Sequence, residues 1–350
     1  MGLMNRNTDI DIGKGICIIL MVVGHSGCPQ WLFNWIYTFH MPFFFFVSGY
    51  LFSDKSLNVF IPFLKKKMKG LWWPFLKWNV IFILLHNLFF SLSFEYGKYT
   101  WIEIFKKIIL SGLMAEPEVL LGTFWFLQQL IRVSIIAWVL LWIYRYLSKF
   151  SNKLLIVWMN MAIALLTFLA YVIDFRVPGV VSKLTMLSLL FYFTGYTFRV
   201  YMSALSRYLY SNYFLLVSVF VTVCGAIYNP AEMLTVPEQR VIPYWVVGIL
   251  GCVMILNISR RVSGTKMSHC IDYIGRHTLS IMIWHFLIFK IVSILLEAVH
   301  IIPHEDLLAF PVPSVAHDGW WILYTILGVS LSLLMEKVTD KLGEIVKNIV

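Results

Sequence analysis

Charged residues are scarce in this chain of 350 residues. Only 13% of the positions are Asp, Glu, Lys or Arg, whereas 60% are hydrophobic and 17% are aromatic. A soluble domain usually carries about 25% charged residues, so this composition excludes an ordinary soluble enzyme. Apolar runs of roughly 20 residues recur instead, and each is long enough to cross a hydrocarbon core of about 30 Å. The sequence therefore predicts a polytopic membrane protein.

Close cysteine pairs and clusters of metal-ligand spacing are also missing. The five cysteines are Cys17, Cys28, Cys224, Cys252 and Cys270. Their spacing matches neither a disulfide framework nor a zinc site. Several of them lie in apolar segments, where a thiol behaves as a small hydrophobic group. We therefore expect no resident metal.

Negative charge is the scarcer sign, with 18 acidic against 28 basic residues and a net charge of +10. A basic balance can indicate a nucleic-acid-binding protein. Here the basic residues stand between apolar runs, where they act as topological anchors. We therefore predict the lipid bilayer as the surroundings and no nucleic-acid partner.

About ten transmembrane helices are predicted, in one domain that covers residues 1–350, so the expected fold class is all-α. The predicted spans are 10–28, 36–53, 72–93, 123–146, 153–173, 184–200, 212–228, 241–258, 271–299 and 319–336. The longest polar segments between them are 94–120 and 300–318. Within the first, the stretch WIEIFKKII has the pattern of an amphipathic helix at the membrane interface.

The basic residues are distributed unevenly between the predicted loops. With the N-terminus inside, the outer segments hold Lys98, Lys106, Lys107, Arg176, Lys183 and Arg240, and the spans hold Lys14, Lys77, Arg132 and Lys290. The other 18 of the 28 basic residues belong to inner segments. This asymmetry follows the positive-inside rule and predicts that both termini are cytoplasmic. We expect a multi-pass protein of the plasma (inner) membrane.

Three ionisable residues share one face of the first span. Lys14 and His25 are eleven residues apart, which on an α-helix is three turns plus about 20°, and Asp11 lies within about 40° of that face. Ionisable groups in a span are costly unless they face the bundle interior or a wet cavity. The simpler interpretation is a snorkelling lysine and a hydrogen-bonded core histidine. The shared face favours a functional site, with His25 toward the outer end.

The second span contains a further histidine, His40, in the stretch TFHMPFFFFVSGYLF. Pro42 removes a backbone donor and predicts a kink there. If residues 29–35 form a short connection at the outer surface, His25 and His40 enter the membrane at similar depth and could form a proton-transfer or metal pair. No third ligand is suitably spaced, which favours proton chemistry. Ser48 is a candidate support residue beside small neighbours that let helices approach closely.

Five stretches carry a family resemblance. They are DIGKGICIILMVVGH, FHMPFFFFVSGYLF, KKKMKGLWWPF, FWFLQQL and IGRHTLSIMIWH. Together they resemble the acyltransferase-3 family of integral-membrane O-acyltransferases, in the branch that contains fucose O-acetylases and surface-polysaccharide O-acetyltransferases. They occur in the family's order and extend over nearly the whole chain. The chain has lysine at position 14, where the family often has arginine, and lysines in the basic run, where paired arginines are common.

The resemblance implies transfer of an acyl group, expected to be acetyl, from cytoplasmic acetyl-coenzyme A to a hydroxyl of a carbohydrate on the outer side. The acceptor would be lipid-linked or surface polysaccharide. His25 would act as the general base or carry the acyl group itself, and His40 would assist it. The donor phosphates would meet cytoplasmic lysines, which bind phosphate as point charges. These are Lys14, Lys65, Lys66, Lys67 and Lys69.

Several of these residues also have simpler interpretations. The positive-inside rule alone would place four lysines in an inner loop. Trp125, in FWFLQQL, is either a packing aromatic or a platform for substrate. His285, in the ninth span, is either a buried partner of the site or a structural hydrogen-bonding residue. Asp11, Ser48, Trp125 and His285 are therefore predicted as substrate-binding or supporting residues.

A different functional class is compatible with the same features. Intramembrane lysine and histidine also occur in proton-coupled transporters, so the chain could be a transporter or exporter of a polysaccharide precursor. Such transporters often consist of two related halves with helices broken at matching places. No internal repeat is visible in this sequence. A structural assembly subunit, the third possibility, would not need the ionisable face of the first span.

Overall fold

The computed structural model describes residues 8–95, 97–148 and 154–349. The chain is 80% helical, with almost no strand. Strands Arg176–Val177 and Val181–Ser182 form a short antiparallel hairpin. Arg6, Lys149 and Lys153, which were counted among the inner basic residues, lie outside the described residues.

Fourteen α-helices follow one another along the described chain. They are α1 Thr8–His25, α2 Gln30–Tyr37, α3 His40–Tyr50, α4 Phe60–Lys67, α5 Trp73–Ser91, α6 Trp101–Gly112, α7 Trp125–Leu147, α8 Leu155–Val172, α9 Lys183–Leu209, α10 Asn212–Tyr228, α11 Val241–Val262, α12 Ser268–Arg276, α13 Thr278–Ala298 and α14 Trp321–Ile349. A π-helical turn, Met68–Trp72, joins α4 to α5, and a 3-10 turn, Val119–Phe124, precedes α7. Every predicted span contains at least one of these helices.

Six helical stretches of the described chain are long and apolar enough to cross a membrane. They are Phe60–Ser91, Val119–Leu147, Leu155–Val172, Glu238–Val262, Thr278–Ala298 and Trp321–Ile345. Helix α10 is apolar but shorter, and α3 has only 11 residues. Helix α1 has 18 residues but carries Asp9, Asp11 and Lys14. The chain is therefore a multi-pass membrane protein, and the count of about ten spans stays a prediction.

The second predicted span is broken before His40 rather than kinked at Pro42. Helix α2 ends at Tyr37, and α3 begins at His40 after Phe39, whose φ of −141° and ψ of −23° are not helical. Pro42 lies in the first turn of α3, where a missing N–H removes no intrahelical hydrogen bond. The predicted kink at Pro42 is therefore wrong.

The ninth predicted span is also interrupted. Helix α12 ends at Arg276 and α13 begins at Thr278, so residues 271–299 form two helices instead of one. His277, at the break, lies 2.7 Å from the Glu336 carboxylate through its Nδ1. This contact with α14 gives the His277 side chain a polar partner at the break between α12 and α13.

The predicted amphipathic helix in the segment 94–120 is confirmed as α6. Thr100 and Glu103 form a capping box at its start, since the side chain of each accepts the backbone N–H of the other. Trp101 and Ile102 are more than 80% exposed, and Phe105 is 68% exposed. An apolar face of this kind suits the membrane interface, which stays the predicted location.

The chain divides into two compact units. The first comprises the described residues within Met1–Gly13, Asn34–Pro74 and Phe126–Gly264. In it, α3 packs on α9 with backbone against backbone. A Cβ atom on Gly49 would collide with the main chain of Tyr192, and one on Gly195 with that of Phe46. This contact confirms that the small residues near Ser48 allow close helix packing.

The second unit comprises the described residues within Lys14–Phe33, Phe75–Trp125 and Thr265–Val350. Helices α1, α13 and α14 meet at its centre. A Cβ atom on Gly328 of α14 would lie 2.7 Å from the Phe289 ring of α13 and 3.1 Å from Val22 of α1. The hydroxyl groups of Thr325 and Ser26 are 3.0 Å apart. These contacts place the C-terminal end of α1 beside α13.

Two predicted outer segments lie at one end of this second unit. The hydroxyl of Ser93, directly before the segment 94–120, is 3.4 Å from Nε2 of His304. Gly27, directly after α1, has a φ of +85° and lies against Val312 and Ala316. The C-terminal end of α1 and the segments 94–120 and 300–318 therefore share one end of the unit, as the predicted topology requires.

Labelling of introduced cysteines tests on which side of the membrane this end lies. In a Cys270→Ser background, which removes the exposed native thiol, Glu305→Cys should react with a membrane-impermeant maleimide in intact cells. Lys66→Cys should react only after permeabilisation. Labelling of Lys66→Cys from outside would reverse the predicted orientation.

Candidate active site

Two histidines from distant parts of the sequence meet in the second unit. His25 is the last residue of α1, and His285 lies in α13. Their rings are nearly parallel, at an interplanar angle of 17°, with centroids 5.5 Å apart. The Phe286 ring lies 5.0 Å from that of His25 and 4.1 Å from that of His285. The two imidazoles therefore share an aromatic environment.

The protonation of His285 follows from its hydrogen bond. Its Nδ1 is 2.8 Å from the carbonyl oxygen of Ile281, and a carbonyl can only accept, so Nδ1 carries a proton. In the neutral ring, Nε2 is then a hydrogen-bond acceptor. His285 is fully buried, and its Nε2 has no hydrogen-bond partner among the described residues. His25 is half-buried, with its Nδ1 atom inside the unit.

Side chains of α13 and α14 hold His285 in place. The Phe289 ring stands edge-on to both His285 and Tyr324, with centroids 5.8 Å and 5.5 Å away. The Tyr324 and Ser293 hydroxyl groups are 2.9 Å apart. Because all these groups are buried, the ring of His285 has little freedom to turn.

A second polar cluster in this unit is centred on Glu118, which is 3% exposed. Its Oε1 lies 2.9 Å from Nδ1 of His86 and accepts the Tyr99 hydroxyl at 2.8 Å. Nε2 of His86 lies 3.0 Å from the carbonyl oxygen of Gly97. Lys107 adds an ion pair with Glu118 at 3.6 Å. This cluster ties α5, α6 and the segment between α6 and α7 together.

The other predicted catalytic residue, His40, belongs to the first unit. It is 2% exposed. Its Nδ1 donates to the Ile36 carbonyl oxygen at 2.9 Å, and the Tyr37 ring stands edge-on at 4.6 Å. Ser48 lies on the same helix, and its hydroxyl donates to the Phe44 carbonyl oxygen at 2.8 Å. Both polar groups thus have backbone partners within this unit.

The predicted donor-binding lysines and the predicted supporting residues Asp11 and Trp125 are distributed over both units. Lys14 is half-buried on α1 in the second unit, whereas Asp11 is 6% exposed and belongs to the first. In the first unit, Lys65, Lys66 and Lys69 are exposed and Lys67 is half-buried, with its Nζ 5.7 Å from the centre of the Phe63 ring. Trp125, the first residue of α7, is half-buried in the second unit.

Sequence reasoning missed the role of the residues around Glu118. Glu118 itself lies in a polar segment that resembles a solvated loop, and Glu95 does so as well. The available signal was Lys290, one of four basic residues inside predicted spans, which is 1% exposed. Within the described part of the chain, no three His, Cys, Asp or Glu side chains are grouped so that they could hold a metal ion.

A family model described as an acyltransferase domain matches residues 7–337. The chain belongs to the acyltransferase-3 family. This membership confirms the resemblance carried by the five sequence stretches. The pair of histidines is therefore considered as a candidate site for acyl transfer.

Two curated relatives are similar to this acyltransferase-3 protein. The nodulation protein NolL of Sinorhizobium fredii is 29% identical over 193 residues, which cover 51% of this chain and 49% of that relative. NolL of Mesorhizobium japonicum is 30% identical over 139 residues, which cover 36% of this chain and 34% of the relative. The chain therefore spans half or less of the length of these relatives. No solved structure matches.

Proposed function

We propose that this protein is a membrane O-acyltransferase that moves an acyl group, in the first instance acetyl, from cytoplasmic acyl-coenzyme A to a hydroxyl of a carbohydrate outside the plasma membrane. The observation that supports it is the pair His25 and His285 in the core of the second unit. Acyl transfer to a hydroxyl needs a base, because the hydroxyl must lose its proton as it attacks.

His25 is the proposed general base. It is half-buried, so an acceptor hydroxyl can reach it, and it lies at the end of the unit that is predicted to face outward. His285 is the proposed positioning residue, because the bond to Ile281 fixes its tautomer and the surrounding rings fix its orientation. A neutral imidazole beside His25 does not oppose the charge that His25 gains with the proton.

The proposed donor-binding residues are Lys14 and the lysine run of the first unit. The donor would supply the acyl group as a thioester, and its phosphates are anionic. Lys65, Lys66 and Lys69 expose three ammonium groups within five residues, which suits the attraction of a phosphate-bearing molecule. These lysines are predicted to lie on the cytoplasmic side of the membrane, which is the side of the proposed donor.

Replacing Lys14 by Met should raise the KM for acetyl-coenzyme A by about tenfold or more, because an opposite charge near a phosphate would be lost. Replacing Lys65, Lys66 and Lys69 together by Gln should raise it further. The measurement is the donor KM of purified protein in nanodiscs, with radiolabelled acetyl-coenzyme A. Lys98→Met, at an exposed lysine of a predicted outer segment, is the control. A donor KM and rate that survive both changes would show that these lysines only set the topology.

Purified protein tests the proposed function as a whole. It should transfer radiolabelled acetyl from acetyl-coenzyme A to simple methyl glycosides, and polysaccharide from cells that carry the gene should be heavier by acetyl groups than polysaccharide from cells without it. Vesicles that take up a glycosyl precursor without any acyl transfer would support the transporter instead. A labelled enzyme trapped in the absence of acceptor, with the label lost in His25→Ala, would indicate that His25 carries the acyl group.

A further inference from the structure

A buried carboxyl group in the same unit as the histidine pair has an oxygen with no hydrogen-bond partner among the described residues. Glu95 follows α5 and is 4% exposed. The backbone of Leu120 forms a hydrogen bond with its carboxyl group, but Oε1 has no hydrogen-bond partner among the described residues. A buried acceptor without a donor is destabilising, so a native protein that retains one has either a functional reason or a bound water or ion to satisfy it. Glu95 is therefore suited to receive a donor from a ligand.

The charges around Glu95 indicate what kind of ligand fits. The pKa of Glu95 is raised to about 7, chiefly by burial and also by the Glu118 carboxylate, while the Lys290 and Lys107 ammonium groups act in the opposite direction. Two carboxyl groups thus face two ammonium groups. A neutral hydrogen-bond donor keeps this balance, whereas an added cation or anion would disturb it.

The hydrogen bonds that the Lys290 ammonium group donates go to backbone carbonyl oxygens and not to Glu95. Its Nζ donates to the carbonyl oxygens of Leu307 and Ala309, both at 2.7 Å. This arrangement fixes the ammonium group and the loop after α13 together. Because carbonyl oxygens carry no full charge, the field of Lys290 still acts on Glu95. The carboxylate is therefore attracted by a cation that is not positioned as its hydrogen-bond donor.

The segment that binds Glu95 also packs beside the histidine pair. Leu120 belongs to the 3-10 turn before α7. In the same turn, the Thr123 hydroxyl donates to the Met282 carbonyl oxygen at 3.2 Å, three residues before His285 on α13. One short turn thus connects the surroundings of Glu95 with those of the proposed base.

The surroundings of His285 and Lys290 are connected by one aromatic side chain. Lys290 lies five residues beyond His285, which is about 7.5 Å along the helix axis and about 140° around it. Between them, the Phe310 ring lies 4.8 Å from that of Phe286 and 5.9 Å from Nζ of Lys290. Phe310 is 44% exposed, so an aromatic face is available on the way from the histidines to the charges around Glu95.

We propose that Oε1 of Glu95 accepts a hydrogen bond from a second hydroxyl group of the acceptor carbohydrate, while the reacting hydroxyl lies at His25. Glu95 then forms a sugar-hydroxyl subsite that orients the acceptor, and it takes no part in the acyl transfer itself. This inference rests on the proposed function, because it supposes a polyhydroxylated acceptor.

The experiment combines acceptors that lack one hydroxyl group with protein variants that lack the Glu95 carboxyl group. A panel of methyl glycopyranosides first identifies one that the wild-type protein acetylates, and its monodeoxy derivatives are then compared. At a pH above the pKa of about 7, where Glu95 is ionised, loss of one particular hydroxyl should raise the wild-type acceptor KM by roughly 10- to 100-fold, as expected for a bond to a charged group. Glu95→Met should raise the KM of the parent glycoside by a similar factor. For this variant, the KM of that same deoxy derivative should be no higher than the KM of the parent glycoside.

The milder Glu95→Gln should show a smaller effect at the same hydroxyl, and Glu116→Gln, at an exposed position of the same segment, should show none. If a folded Glu95→Met protein shows the same rise in acceptor KM as the wild type for every deoxy derivative, the subsite is overturned and the proposed function is left intact. Failure of both Glu95 variants to fold would also overturn it, since the carboxyl would then be structural. A wild type that acetylates no glycoside would overturn the proposed function and the subsite with it.

Discussion

Replacing His25 by Ala should lower the rate of acyl transfer by at least about 10²- to 10⁴-fold, the usual contribution of a general base. The physical reason is that the acceptor hydroxyl would have no group to take its proton, since His285 is fully buried and fixed by Ile281. The measurement is kcat for acetyl transfer to a methyl glycoside by purified protein, with the unfolding midpoint recorded alongside.

His40→Ala is the matched control for this change. It removes a buried histidine of the same kind, but His40 belongs to the other compact unit and its Nδ1 already donates to Ile36. Its effect on kcat should therefore be smaller than that of His25→Ala. A well-folded His25→Ala protein that keeps most of its transfer activity would contradict the assignment of His25 as the base.

Replacing Glu118 by Ala should destabilise the protein by about 3–5 kcal/mol, the usual result of removing one partner of a buried charged cluster. Glu118 is 3% exposed, and its loss would leave Nδ1 of His86 and the Tyr99 hydroxyl without their acceptor. The measurement is the free energy of unfolding of the purified protein, from denaturant titration in detergent.

Glu116→Ala provides the comparison, because Glu116 is exposed two residues earlier in the same segment. Surface substitutions of this kind usually change stability by less than about 0.5 kcal/mol. Equal losses of stability in the two variants would mean that the cluster around Glu118 contributes little to folding.

The positions of the helices were largely predictable, because apolar runs long enough to cross a bilayer leave little choice of structure. Each predicted span contains a helix, and WIEIFKKII is helical as expected. Breaks inside the runs were not predictable. The interruption at Phe39 occurs within an otherwise apolar stretch, and that at His277 is accompanied by a tertiary contact, that of His277 with Glu336.

The candidate site was predictable only in part. The face shared by Lys14 and His25 singled out His25, because helical periodicity acts within one segment. The neighbour of His25 could not be deduced in this way. Sequence proximity suggested His40, whereas the ring contact in the structure is with His285, near the other end of the chain. Packing between distant helices depends on the whole fold and leaves no mark in the local pattern.

Glu95 and Glu118 show the same limit for loops. A carboxylate in a polar segment is usually solvated, and nothing in the sequence distinguishes these two from the exposed Glu116. Glu118 is buried among side chains of α5, α6 and the segment between those helices, and Glu95, directly after α5, is 4% exposed. The only local hint was the intramembrane Lys290, which indicated that an opposite charge would be found nearby.

The contact between α3 and α9 has a consequence for motion in the first unit. Where two main chains touch without side chains between them, neither helix can rotate or slide without a collision, so Gly49 and Gly195 make α3 and α9 one mechanical element. A shape change of this unit during a catalytic cycle must therefore occur at its joints. Phe39, the non-helical residue between α2 and α3, is held against Gly251 of α11, so His40 directly after it belongs to the same rigid arrangement.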